Sequence, residues 1–73
     1  MKLEQVLPQL RDGAIITRTK PFKHEGATLI FVKMDDTHLR FKCIWSNGEE
    51  METWAYYRFR TEDIWAENWE IAG

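Results

Sequence analysis

The chain has 73 residues, 14% of them aromatic, and a formal net charge of −2. That length leaves room for one domain, spanning 1–73, and a fold this small buries only about 60% of the surface its unfolded chain exposes. The single cysteine, Cys43, excludes an internal disulfide, and with only His24 and His38 beside it no metal site is expected. Small scaffolds without such staples usually gain stability from a partner subunit. Ten aromatic rings, four of them tryptophan, are also more than one small core readily hides. The expectation is a homo-oligomer, dimer or tetramer.

No run approaches the roughly 20 apolar residues of a membrane span. Met1-Lys2-Leu3-Glu4-Gln5-Val6 lacks the apolar core of a secretion signal, so the cytoplasm is the expected compartment. Charge is unevenly spread. Residues 18–45 carry six bases against three acids, whereas residues 46–73 carry seven acids against Arg58 and Arg60. A binder of long DNA or RNA displaces counterions with a broad basic face, and the acidic half argues against one. A small anion needing two or three bases fits better.

Leu3, Val6, Leu7 and Leu10 fall at the spacing of one helix face, and Gly13 supplies a stop, so a short helix is predicted over 3–11. Pro8 lies near enough to the helix start to be tolerated. The β-branched stretch 14–18 reads as a strand, broken by Pro21 and followed by a loop over 19–26. Residues 27–33 form the strongest strand signal. A turn follows at 34–37, with the aspartates that turns favour. Residues 38–45 alternate polar and apolar as a half-buried strand does, with Cys43 inside as a small hydrophobe. Ser46-Asn47-Gly48 gives a second hairpin, and 50–57 is read as its return strand, with Met51 and also Trp54 turned inward. Thr61 suits an N-cap, with Glu62 and Asp63 in the first turn of a helix over 62–67. Trp69-Glu70-Ile71 closes the chain as a short strand. The predicted class is α+β: a short N-terminal helix, an antiparallel meander of three to four strands, a short C-terminal helix and a terminal strand.

Catalytic chemistry is hard to assemble from these residues. Two histidines, a cysteine in an apolar strand and Ser46 in a turn do not make a nucleophile–base set. The carboxylate pairs sit where caps and turns place them, and no glycine-rich phosphate loop is present. A non-enzymatic chain without a cofactor is expected. The segment Arg18-Thr19-Lys20-Pro21-Phe22-Lys23-His24 interleaves bases with one aromatic, a set able to pair phosphate oxygens and stack a base.

The order of these features resembles the small phage proteins of the second Thoeris anti-defence type. Members open with F-x-x-A-L-x-x-L-x-x-G running into a strand that ends in Arg. Here Leu3, Val6-Leu7, Leu10 and Gly13 precede a strand to Arg18. Members close with a glycine-containing hairpin, a P-W strand, then T-x-D-L-L-A-x-D-W. Here Ser46-Asn47-Gly48 is the hairpin, Trp54 stands at the W, and Thr61, Asp63, Ile64-Trp65, Ala66 and Trp69 follow in register. The resemblance spans nearly the whole chain, and its tail is the more specific part. Three departures stand out. The usual Arg-x-x-Trp is Arg18-Thr19-Lys20-Pro21-Phe22, the Asp before the last Trp is Asn68, and a simple hairpin at 34–38 replaces a long insertion.

The resemblance implies sequestration of a nucleotide immune signal, without cleavage, in pockets between protomers. The implied ligand is a cyclic ADP-ribose isomer or a cyclic oligonucleotide. The implied ligand contacts are Phe22 and Trp54 for adenine or ribose, Arg18, Lys20 and Arg58 (or Arg60) for phosphate, and Asp63 and Asn68 for ribose hydroxyls. The alternative is a protein-binding inhibitor that docks directly on a host defence enzyme.

Overall fold

Gly13 and Asp36 are where the chain makes two of its sharpest reversals. A computed structural model describes residues 1–19 and 26–72. Helix α1 (Leu3–Arg11) opens with the Lys2 N–H donating to Gln5 Oε1 at 2.7 Å, the side chain reaching back one turn to an otherwise unpaired donor. It buries Leu3, Val6 and Leu10. Leu7, expected on the same face, is instead exposed, because it lies at the edge of the apolar stripe. Gly13, at φ 102°, ends the helix, and the Ala14 N–H turns back onto the Gln9 carbonyl. That bond delays the first strand to β1 (Ile16–Thr19), two residues later than the β-branched run suggests.

Strands β2 (Ala27–Asp35) and β3 (His38–Trp45) form a long hairpin in which Asp35 pairs with His38. The turn fits in two residues because Asp36 adopts φ 56°, a region Asp tolerates better than most residues. The meander has its four strands, but the return strand expected over 50–57 is shorter: of that stretch, β4 (Ala55–Tyr56) pairs with β3, plus one isolated bridge from Glu50 to Ile44. The Met51 N–H still donates to the Cys43 carbonyl at 3.2 Å while its side chain packs against the core, and residues 52–54 then leave the ladder. Helix α2 (Thr61–Trp65) is preceded by Arg60 as N-cap, not Thr61. The Asp63 carboxylate accepts from the Arg60 N–H at 2.8 Å and so performs the capping itself. Strand β5 (Trp69–Ile71) returns to pair antiparallel with β1.

The result is the expected α+β class, with a five-stranded antiparallel sheet in the order β4-β3-β2-β1-β5. Side chains alternate across a sheet, so one face carries Ile16, Ile30, Val32, Cys43 and Trp69 towards α1. Burial there pushes the Cys43 thiol up, which disfavours its reactive thiolate. The other face carries Phe31, Lys33, Arg40 and Lys42. Among the described residues no helix is long and apolar enough to cross a membrane.

Candidate functional site

Among the described residues two places combine cations with tryptophan, and they are built differently. The first joins the closing motif to β1. Arg18 faces the core and is only 5% exposed. An unpaired buried guanidinium would be costly, so its partners matter. Its Nη1 donates to Asp63 Oδ1 at 2.7 Å, and its Nε donates to Asn68 Oδ1 at 3.0 Å. The Asn68 amide donates in turn to the Thr19 carbonyl at 2.9 Å. The second Asp63 oxygen accepts from the Tyr57 hydroxyl and the Arg60 N–H. The Trp69 indole N–H donates to the Asp63 backbone carbonyl at 2.9 Å, and the Arg18 guanidinium lies 5.9 Å from the Trp69 ring centre.

This is a latch between β1, α2 with the chain just before it, and β5. Phe59 meets Trp69 edge-on at 5.9 Å, and Tyr57 meets Phe59 at 5.8 Å, so aromatic packing seals one side of it. Burial, and next the bond to the Asp63 carboxylate, push the Tyr57 phenol well above its ordinary value. Both effects disfavour a phenolate, because it would lose hydration and face a negative oxygen.

The second place is the sheet face that α1 leaves uncovered. Lys33 and Arg40 stand directly opposite each other on β2 and β3, and Lys42 is two pairs further along, on the same face and opposite Phe31. Like charges in cross-strand pairs repel. Arg40 relieves its share by donating from Nε to Asp35 Oδ2 at 2.8 Å, and its guanidinium lies 4.5 Å from the Tyr56 ring centre. Lys33 and Lys42 both turn to Trp54, with ammonium nitrogens 4.4 and 5.5 Å from its ring centre. Among the described residues neither lysine has a carboxylate at ion-pair distance. Two ammonium groups and one indole thus share a half-buried patch whose positive charge no carboxylate among the described residues answers.

Of the residues expected to touch ligand, Arg18, Asp63 and Asn68 meet in the buried latch. Trp54, expected to turn inward, lies instead between the lysines on the uncovered face, because the chain leaves the β3 ladder before reaching it. Arg58 is exposed at the β4 edge, in a cleft of about 280 Å³ that it shares with Phe41, Tyr56, Tyr57 and Arg60. Lys20 and Phe22 lie outside the described residues. Sequence reasoning passed over Lys33 and Lys42. Their signal was present as alternation, since Lys33 and Phe31 share one face of β2 while Arg40 and Lys42 share one face of β3. Among the described residues no cluster of three or more His, Cys, Asp or Glu is placed to hold a metal ion. No family model, no curated protein and no solved structure matches the chain.

Proposed function

We propose that this protein binds a small cyclic nucleotide signal and holds it without cleaving it, acting as a phage anti-defence sponge of the Thoeris type. A cyclic ADP-ribose isomer is the ligand proposed first, and a cyclic oligonucleotide second. The observation that supports this reading most is the pair of lysines converging on Trp54, with no carboxylate among the described residues at ion-pair distance from either.

The physical case is one of complementarity. A nucleotide offers phosphate oxygens, which strengthen ammonium hydrogen bonds through charge, and a flat base, which stacks on an indole. Both features are offered together where Lys33, Lys42 and Trp54 meet. Arg40 is already answered by Asp35, so it shapes the patch more than it attracts the ligand. Arg58, Lys20 and Phe22 are proposed as further contacts, and Arg18, Asp63 and Asn68 as the scaffold that holds β1 and β5. Sequestration also needs slow release, which an open face supplies poorly. A second protomer closing over the face would exclude water and strengthen each polar contact, as enclosed ligand pockets do.

Native mass spectrometry of the protein with a panel of cyclic nucleotides tests this directly. The expected outcome is a homo-oligomer retaining one kind of signal, recovered intact after denaturation. Absence of binding across the panel, or release of cleavage products, would defeat the proposal. Enrichment of a stoichiometric host enzyme from lysate would favour direct protein inhibition instead.

A further inference from the structure

Helix α1 presents a second stripe, on the side turned from the sheet. Glu4, Leu7, Pro8 and Arg11 are all exposed and, at 3.6 residues per turn, all fall on one side of the helix. Leu7 is a large hydrophobe left 40% exposed. A groove runs along each flank of this ridge. One, of about 380 Å³, reaches α2 and is walled by Ile64 and Trp65. The other, of about 530 Å³, reaches the β2–β3 hairpin at Met34 and Leu39. Trp65 is 77% exposed at the border of the first groove, although it is the largest side chain of α2.

We propose that this ridge is a docking surface for a second copy of the same chain, with the two α1 helices antiparallel about a two-fold axis. The charge order selects that occupant. Glu4 stands at the start of the ridge and Arg11 at its end, roughly 10 Å apart along the axis, with Leu7 and Pro8 between. Among the described residues neither charge is in an ion pair within the chain. An antiparallel copy sets Glu4 against the partner's Arg11 and Arg11 against the partner's Glu4, with Leu7 meeting its own counterpart at the centre. A parallel copy would oppose like charges. The interface is therefore self-complementary in the sense a two-fold requires, and each ridge lies where the other molecule offers grooves. Trp65 and Ile64 flank the crossing and lose their exposure there, as aromatic residues at interface centres do. This inference stands apart from the ligand reading, because it concerns the helix side of the molecule and not the uncovered sheet face.

Sedimentation velocity of the full chain over a range of concentrations tests it, with circular dichroism confirming that each variant folds. The wild type is expected to associate. Glu4→Arg and Arg11→Glu should each weaken this contact by about tenfold or more, since each opposes like charges. The double variant Glu4→Arg/Arg11→Glu restores both pairs and should recover association. Leu7→Lys, at a side chain already in water, should lower the mass of the assembly and carries the test if Glu4→Arg unfolds. A monomeric wild type, unchanged association in the single variants, or a double variant as weak as its weaker parent would overturn the proposal.

Discussion

The latch around Arg18 and the patch around Trp54 use the same chemical parts for opposite ends. Each sets cations against an indole. In the latch, Trp69 is fully buried and the guanidinium is answered by the Asp63 carboxylate. On the patch, Trp54 is half-buried and the two ammonium groups meet no carboxylate among the described residues. The difference lies in burial and the anion. A buried cation must be paired by its own chain, so its charge serves the fold. A cation at the surface survives unpaired in water and keeps its charge available to a ligand.

Breaking the latch should have the largest effect. Arg18→Ala or Asp63→Ala leaves the other charge buried without its partner, an expected loss of about 3–5 kcal/mol. In a chain this small that is most of the total stability, and thermal melts should show a protein largely unfolded at 37 °C. Tyr57→Phe removes one bond to the Asp63 carboxylate and keeps the ring packing, so urea titration should show a loss of about 1.5–3 kcal/mol.

Tyr57 also gives the latch a pH signature. Its folded value lies above the unfolded one, so the folded state holds its proton more tightly. The stability this supplies is fully present below about pH 10, the ordinary tyrosine value, and is lost as pH rises above it. Melting temperatures of the wild type should therefore fall on going above about pH 10, and Tyr57→Phe should fall less steeply. Equal slopes would show that the phenol does not hold this position.

The patch should respond in the opposite sense. Lys33→Gln and Lys42→Gln each remove only a solvent-accessible cation–π contact, so stability should change by no more than about 1 kcal/mol. Their effect belongs on ligand affinity. A large loss of stability would mean that the lysines serve the fold after all.

The uneven legibility of the sequence follows the same division. Helix α1 and strand β3 match their predicted spans because their periods, 3.6 and 2, are local properties of the chain. The stretch 50–57 misled because its residues suit a return strand after a hairpin, yet beyond the Glu50 bridge and the Met51 N–H the chain leaves β3 and only Ala55 and Tyr56 rejoin it as a strand. Leu7 obeys the helical spacing but lies where the sheet does not reach. Arg18 looked like a ligand contact because a sequence shows its charge and not the carboxylate 45 residues away that answers it. Lys33 and Lys42 were overlooked for the converse reason. Each was only one of the six bases of residues 18–45 until the β2–β3 register and the course of Trp54 brought them together.

The most direct measurement of the patch's role is a thermal-shift titration of the wild type and of Lys33→Gln/Lys42→Gln with the panel of cyclic nucleotides. The wild type should gain melting temperature with one signal, whereas the double variant, folded and nearly as stable without ligand, should gain none. An equal shift in both proteins, or no shift in the wild type with any nucleotide, would contradict the role assigned to the Trp54 patch.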